Sequence, residues 1–134
     1  MGARASLGVC LWLAACATTS QDGLRPHDRA PSTYWRALAG TGVPLETALT
    51  LYGDDLLRFL ERETHGLRAA LARGAGPVVS DLAHAMSLEA ASVGALGEKL
   101  RQHRETLEAP LVEPGPFTFE RVRRLAAALR QAVE

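Results

Sequence analysis

From residue 32 onward, apolar positions recur at three- and four-residue spacing, the period of an amphipathic helix and not the alternation of a strand. The clearest stretch is the last. Val122, Leu125, Ala126, Leu129 and Val133 share one face, with Leu125 at its centre. Thr118 stands where an N-cap belongs, and Glu120 lies near the positive end of the helix. Phe117 and Val122 take the two places of a hydrophobic staple.

The same spacing predicts further helices upstream. Ser32 is placed to cap a short one carrying Tyr34, Trp35 and Leu38, with Gly40 as its stop. Pro44 suits a first helical position, and Leu45, Ala48, Leu49 and Tyr52 form a face that ends at Gly53. Asp54 is placed to cap the longest helix, running to Arg73 with Leu56, Leu60, Leu67 and Leu71 as its stripe and Gly74 as its C-cap. Gly76-Pro77 opens a helix with Val79, Leu82, Ala83 and Met86 inward. Ser87 is expected to cap the next, which carries Val93, Leu96, Leu100 and Leu107 to Glu108 and stops at Ala109-Pro110. Pro110, Pro114, Gly115 and Pro116 mark the one clear internal loop.

Residues 17 to 31 show no apolar period and contain Gly23, Pro26 and Pro31, so they are expected to be a linker. Fully stretched, such a linker reaches about 50 Å. Before it, Arg4 is followed by the apolar run Ala5–Ala15, too short to cross a bilayer as a helix but suited to a signal peptide. The run closes on Leu13, Ala14, Ala15 and Cys16: a branched apolar residue, two small residues and a cysteine. Residues 1 to 16 thereby resemble the signal peptide of bacterial lipoproteins. That resemblance implies cleavage before Cys16, a diacylglycerol thioether on its sulfur, and anchoring in the cell envelope. Ala17, where many such proteins retained at the inner membrane carry Asp, points to the outer membrane, with the domain facing the periplasm. Two other readings fit the same residues. Ala15-Cys16-Ala17 satisfies the pattern for ordinary signal cleavage, and Met1-Gly2 through Ser6 matches a myristoylation pattern.

The expected organisation is therefore a signal peptide over 1–15, a lipidated N-terminus and linker over 16–31, and one helical domain over 32–134. Composition agrees with a helical fold. Of 134 residues 47% are hydrophobic, but these are mostly Ala and Leu, and only 5% are aromatic. The fold class expected is all-α, a small bundle of about five to six short helices. Formal net charge is zero, and loss of Arg4 with the signal leaves the remainder slightly acidic, which argues against a nucleic-acid partner. Cys10 would leave with the signal and Cys16 would be alkylated, so no disulfide and no cysteine metal site is expected in the domain.

Candidate chemistry is sparse. His65, His84 and His103 recur every nineteen residues on three expected helices, yet His65 and His84 fall far from their apolar faces. None belongs to an H-x-x-x-H pair, so no metal ligands are expected among them. Asp54, Asp55, Glu61 and Glu63 suggest a cap and a solvated face mixed with Arg58 and Arg62. No nucleophile elbow, phosphate loop or Cys/His arrangement appears, so no catalytic residue, cofactor or metal is implied. Two features are candidates for binding: small residues Ala90, Gly94 and Gly97 along one helix flank, and Arg123, Arg124 and Arg130 on the outer face of the last helix. Leu57 through Gly76 and Leu82 through Met86, with the turn Ala72-Arg73-Gly74-Ala75-Gly76, also resemble small exported bacterial proteins of unknown function. That likeness brings no active residues with it.

The functional expectation is a non-enzymatic, lipid-anchored envelope protein, held to the membrane through Cys16 and serving an envelope protein partner as adaptor or assembly accessory. The alternatives are an envelope inhibitor, toxin or immunity factor, and a hydrolytic enzyme.

Overall fold

The computed structural model describes residues 26–134, with side chains from Ser32 onward. The expected signal peptide with Leu13, Ala14 and Ala15, the lipid site Cys16, and the linker as far as residue 25 lie outside the described residues. Pro31–Glu134 forms one compact unit; of the unit before it only the helical stretch from Pro26 is described. The architecture is all-α, as expected. In order come α1 (Pro26–Ala39), α2 (Leu45–Arg73), α3 (Pro77–Ala85), a 3-10 turn (Ala90–Ser92), α4 (Val93–Gln102), α5 (Arg104–Val112) and α6 (Phe119–Val133). No strand occurs among the described residues.

The hub is α2, which packs against α3, α4, α5 and α6. Its stripe of Leu56, Phe59, Leu60 and Leu71 is buried to within 1% of complete. Phe59 also meets α1, with ring centroids 5.1 Å from Tyr34 and 5.2 Å from Trp35. Val79 and Leu82 of α3, Leu100 of α4, Leu107 of α5 and Val122 and Leu125 of α6 complete the core. Each such side chain contributes about 1.5–3 kcal/mol relative to exposure.

Several helix ends follow the sequence signals. Gly40 (φ 82°) ends α1 with its N–H on Ala37 O, while Thr41 donates to Arg36 O, the paired bonds of a Schellman turn. Gly74 (φ 68°) ends α2 with its N–H 2.7 Å from Ala70 O. Thr118 caps α6, its Oγ1 accepting from the Arg121 N–H at 3.2 Å.

Other boundaries differ. Helix α1 begins at Pro26, inside the expected linker, so Ser32 is not its cap; a proline at a helix start forfeits only an N–H that has no helical partner there. The helices expected on either side of Gly53 are joined as α2, with Pro44 as N-cap and non-helical geometry at Tyr52 (φ −132°, ψ 22°). Leu49 and Leu56, seven residues apart, are both buried, so the helix resumes on the same apolar face and Asp54 caps nothing there. Ser87 closes α3 instead of opening the next helix. At φ 58° it donates to His84 O while Leu88 donates to Ala83 O, so a serine occupies the left-handed place usually held by glycine.

The expected fifth helix is two. His103 (φ −100°, ψ 19°) breaks it, with its N–H shared between Lys99 O and Leu100 O and its Nδ1 2.9 Å from Lys99 O. Beyond that break, Pro110 lies buried inside α5 and does not end it. The reason comes from α6. Arg121 is only 4% exposed, and its guanidinium donates to four main-chain carbonyls at the end of α5 and in the loop that follows. Nε reaches Pro110 O, Nη1 reaches Gly115 O, and Nη2 reaches Leu111 O and Glu113 O, at 2.5–3.2 Å. The cation also lies 4.1 Å from the centre of the Phe117 ring. Carbonyls that a proline-rich loop leaves without helical partners are thus taken by one planar fork, at the negative end of α5.

Arg121→Met keeps the apolar stem and removes every donor. It should lower the unfolding free energy by about 2–4 kcal/mol, a large share of a small domain's stability. Arg121→Lys should lose less, since it keeps the charge but not the fork. Urea denaturation of the three proteins measures this, and equal midpoints would show that the carbonyls do not depend on Arg121.

Candidate functional site

Three of the exposed large apolar side chains meet where α2 bends, while Val112 at the end of α5 and Leu88 after α3 are exposed singly. Leu51 is 62% exposed, Tyr52 41% and Phe119, the first residue of α6, 38%. Gly53 makes the junction possible. A Cβ there would come within 2.5 Å of Phe119 Cζ, so only glycine lets the ring rest on the α2 backbone. Tyr52 stands edge-on to Tyr34 at 6.1 Å, continuing the aromatic row that runs to Phe59 and Trp35. Burial holds the Tyr34 hydroxyl above its ordinary pKa, and the charge of Asp55 adds to the shift. An open cleft of about 530 Å³ lies at the bend, lined by Leu49 to Asp55, Arg58 and Phe119. Asp55 and Arg58 meet at 3.5 Å, both more than 60% exposed, so the pair adds little stability.

A second open cleft, of about 580 Å³, lies between the loop Gly40–Pro44 and the outer face of α6 at Arg123, Ala126, Ala127 and Arg130. Across it Arg123 grips both oxygens of Glu46, with Nε at 3.0 and 3.1 Å and Nη2 at 2.9 Å. These bonds hold the Glu46 carboxyl below the usual carboxylate range. Arg124 makes the same two-pronged contact with Glu113 at 2.8 and 3.0 Å, and Glu113 is shifted down for the same reason. Arg130 reaches back to Ala37 O at 3.4 Å. The three arginines expected on the outer face of α6 are there, but two of them are engaged with carboxylates of the chain.

The other candidate residues do not converge. His65 and His84 are exposed on α2 and α3, and His103 serves the α4–α5 junction. Among the described residues no group of three or more His, Cys, Asp or Glu is placed to hold a metal ion. Asp54 and Asp55 flank the bend, while Glu61 and Glu63 lie further along α2, Glu61 exposed and Glu63 half-buried. The small-residue flank divides. Ala90 and Gly94 are exposed, with open space where a Gly94 side chain would be, whereas Gly97 is buried against the Gly74 carbonyl. The main chains of α4 and the α2 C-cap touch there, so at Gly97 the close approach is internal.

Two positions that shape this region were not evident in the sequence. Arg121 hid inside a basic run, although it lies four residues before Leu125 on the buried face. Phe119 fell outside the apolar period of its helix, and its place shows only when α6 meets Gly53. No described helix is long and apolar enough to cross a membrane. No family model, curated protein or solved structure matches the chain.

Gly97→Ala should force α4 from the α2 C-cap and cost about 2–3 kcal/mol, while Gly94→Ala should be neutral or stabilise by up to about 1 kcal/mol. Thermal melts of both variants decide this, and a Gly97→Ala domain as stable as wild type would exclude the close crossing. A second expectation concerns acid. Glu46, Glu98 and Glu113 are all lowered, each first by a hydrogen bond from an arginine. The unfolded chain therefore binds more protons in acid than the folded one. Their contribution is complete above the ordinary carboxylate range and is lost as the pH falls through and below it. The melting temperature should hold from pH 7 to about 5 and then fall, with a smaller fall in Glu46→Gln and at high salt. Calorimetry across that range at two ionic strengths tests both signs.

Proposed function

We propose that the chain is a lipid-anchored cell-envelope protein without a catalytic site, acting as an adaptor or assembly accessory for another envelope protein. The observation that carries this reading is the sequence Leu13-Ala14-Ala15-Cys16 at the end of a short apolar run behind one basic residue. The folded unit is consistent with it. Among the described residues, the buried polar group is Arg121, committed to main-chain carbonyls, and most arginine–carboxylate pairs join one element to another or brace a single helix. At the bend of α2 the surface also offers an open cleft with grouped apolar side chains.

In this reading Cys16 carries the diacylglycerol, and the domain faces the periplasm from the outer membrane. With α1 starting at Pro26, the stretch between lipid and first helix reaches at most about 35 Å. Two acyl chains suffice for stable anchoring, since each buried CH₂ contributes about 0.8 kcal/mol.

Expressed at full length in a diderm host, the wild type should incorporate labelled palmitate, partition into detergent and have Cys16 as its first residue. Cys16→Ser should lose the label completely. The intact mass of the purified wild type is the deciding measurement: a chain that begins at Thr18 without lipid would overturn the anchor.

A further inference from the structure

We propose that the bend of α2 is a docking site for a short segment of a partner protein, one that offers an apolar side chain flanked by arginine or lysine. This rests on the adaptor reading and names the surface through which it acts. Leu51, Tyr52 and Phe119 come from two helices that meet only in the folded domain, and they frame a cleft open to solvent. Packing within the domain explains one edge of Tyr52, on Tyr34, and one face of Phe119, on Gly53. It leaves Leu51 uncovered. A free leucine beside two half-covered aromatic rings is the arrangement that receives one anchoring side chain.

Size separates the possible occupants. The three side chains expose on the order of 300 Å² together, well under the roughly 800 Å² per partner of a stable dimer. A second copy of the chain is therefore too large an answer, and a peptide of a few residues fits. Charge gives the sign. The cleft carries Asp54, Asp55 and Arg58, an excess of one negative charge, and among the described residues Asp54 has no ion-pair partner. Carboxylates beside the apolar side chains repel anionic headgroups, which disfavours a membrane surface, and attract basic groups on a peptide.

The test is a selection of twelve-residue peptides displayed on phage against the full-length protein purified in detergent. Enriched sequences should pair an aliphatic or aromatic residue with adjacent arginine or lysine. A synthetic copy of the most enriched sequence should bind about tenfold more weakly to Leu51→Ser, and Asp54→Asn should reduce both its affinity and its salt dependence. Leu51 and Asp54 are exposed, so both variants should melt with the wild type, which separates lost docking from lost folding. Acidic or absent enrichment, or undiminished binding by both variants, overturns the proposal. So does a Leu51-dependent dimer, or Leu51-dependent binding to phosphatidylglycerol vesicles in place of the peptide. Palmitate is not read in this assay, so failure of docking and failure of anchoring are separate results.

Discussion

A buried guanidinium without a carboxylate partner ordinarily destabilises a protein, and in this bundle it is the joint on which the last third depends. Four carbonyl dipoles, the negative end of α5 and the face of Phe117 together replace the water that Arg121 gives up. Once the proline-rich loop is fastened in this way, the start of α6 has a fixed position. Val122, Leu125 and Leu129 then meet the core, Arg123 reaches Glu46, and Arg130 reaches Ala37. The exposed ion pairs contribute little by themselves. They follow from a helix already placed by its first turn.

Phe119 belongs to that same turn. Its ring rests on the one α2 residue without a side chain, so the fastening of α6 also sets the shape of the surface at the bend. Core and candidate docking surface are thus coupled through a few residues, from Thr118 to Val122. A change that loosened Arg121 would displace Phe119 as well.

The helical period and the apolar faces were legible because each depends on residues close in sequence. Leu125 at the centre of the α6 face, Thr118 as its cap and the left-handed Gly74 all follow from local rules. The departures arise where a distant group satisfies what a local rule leaves open. Pro110 looks like a stop until Arg121 takes its carbonyl, and Gly53 looks like a terminus until Leu49 and Leu56 are seen to be buried on one face. Ser87 has the chemistry of an N-cap, and only the turn geometry assigns it to the end of α3. The exposed cluster was illegible for the same reason: Leu51 and Phe119 lie far apart in the chain and share no period. Asp54 and Asp55 were visible as charges, but not as the rim of a cleft.

The contacts of α6 also set the order in which the bundle can mature. Arg123 is bonded to a residue 77 positions earlier, and Arg130 to one 93 positions earlier. A ribosome releases α1 and α2 long before α6 exists. In that interval the core stripe of α2 lacks the helix that covers one side of it, and the carbonyls after α5 have only water. Closing loops of this length costs entropy before any contact rewards it, so assembly waits for the distant helix. Closure of the bundle therefore depends on α6, the last helix described. Without α6, the apolar stripe of α2 would stay partly open to water.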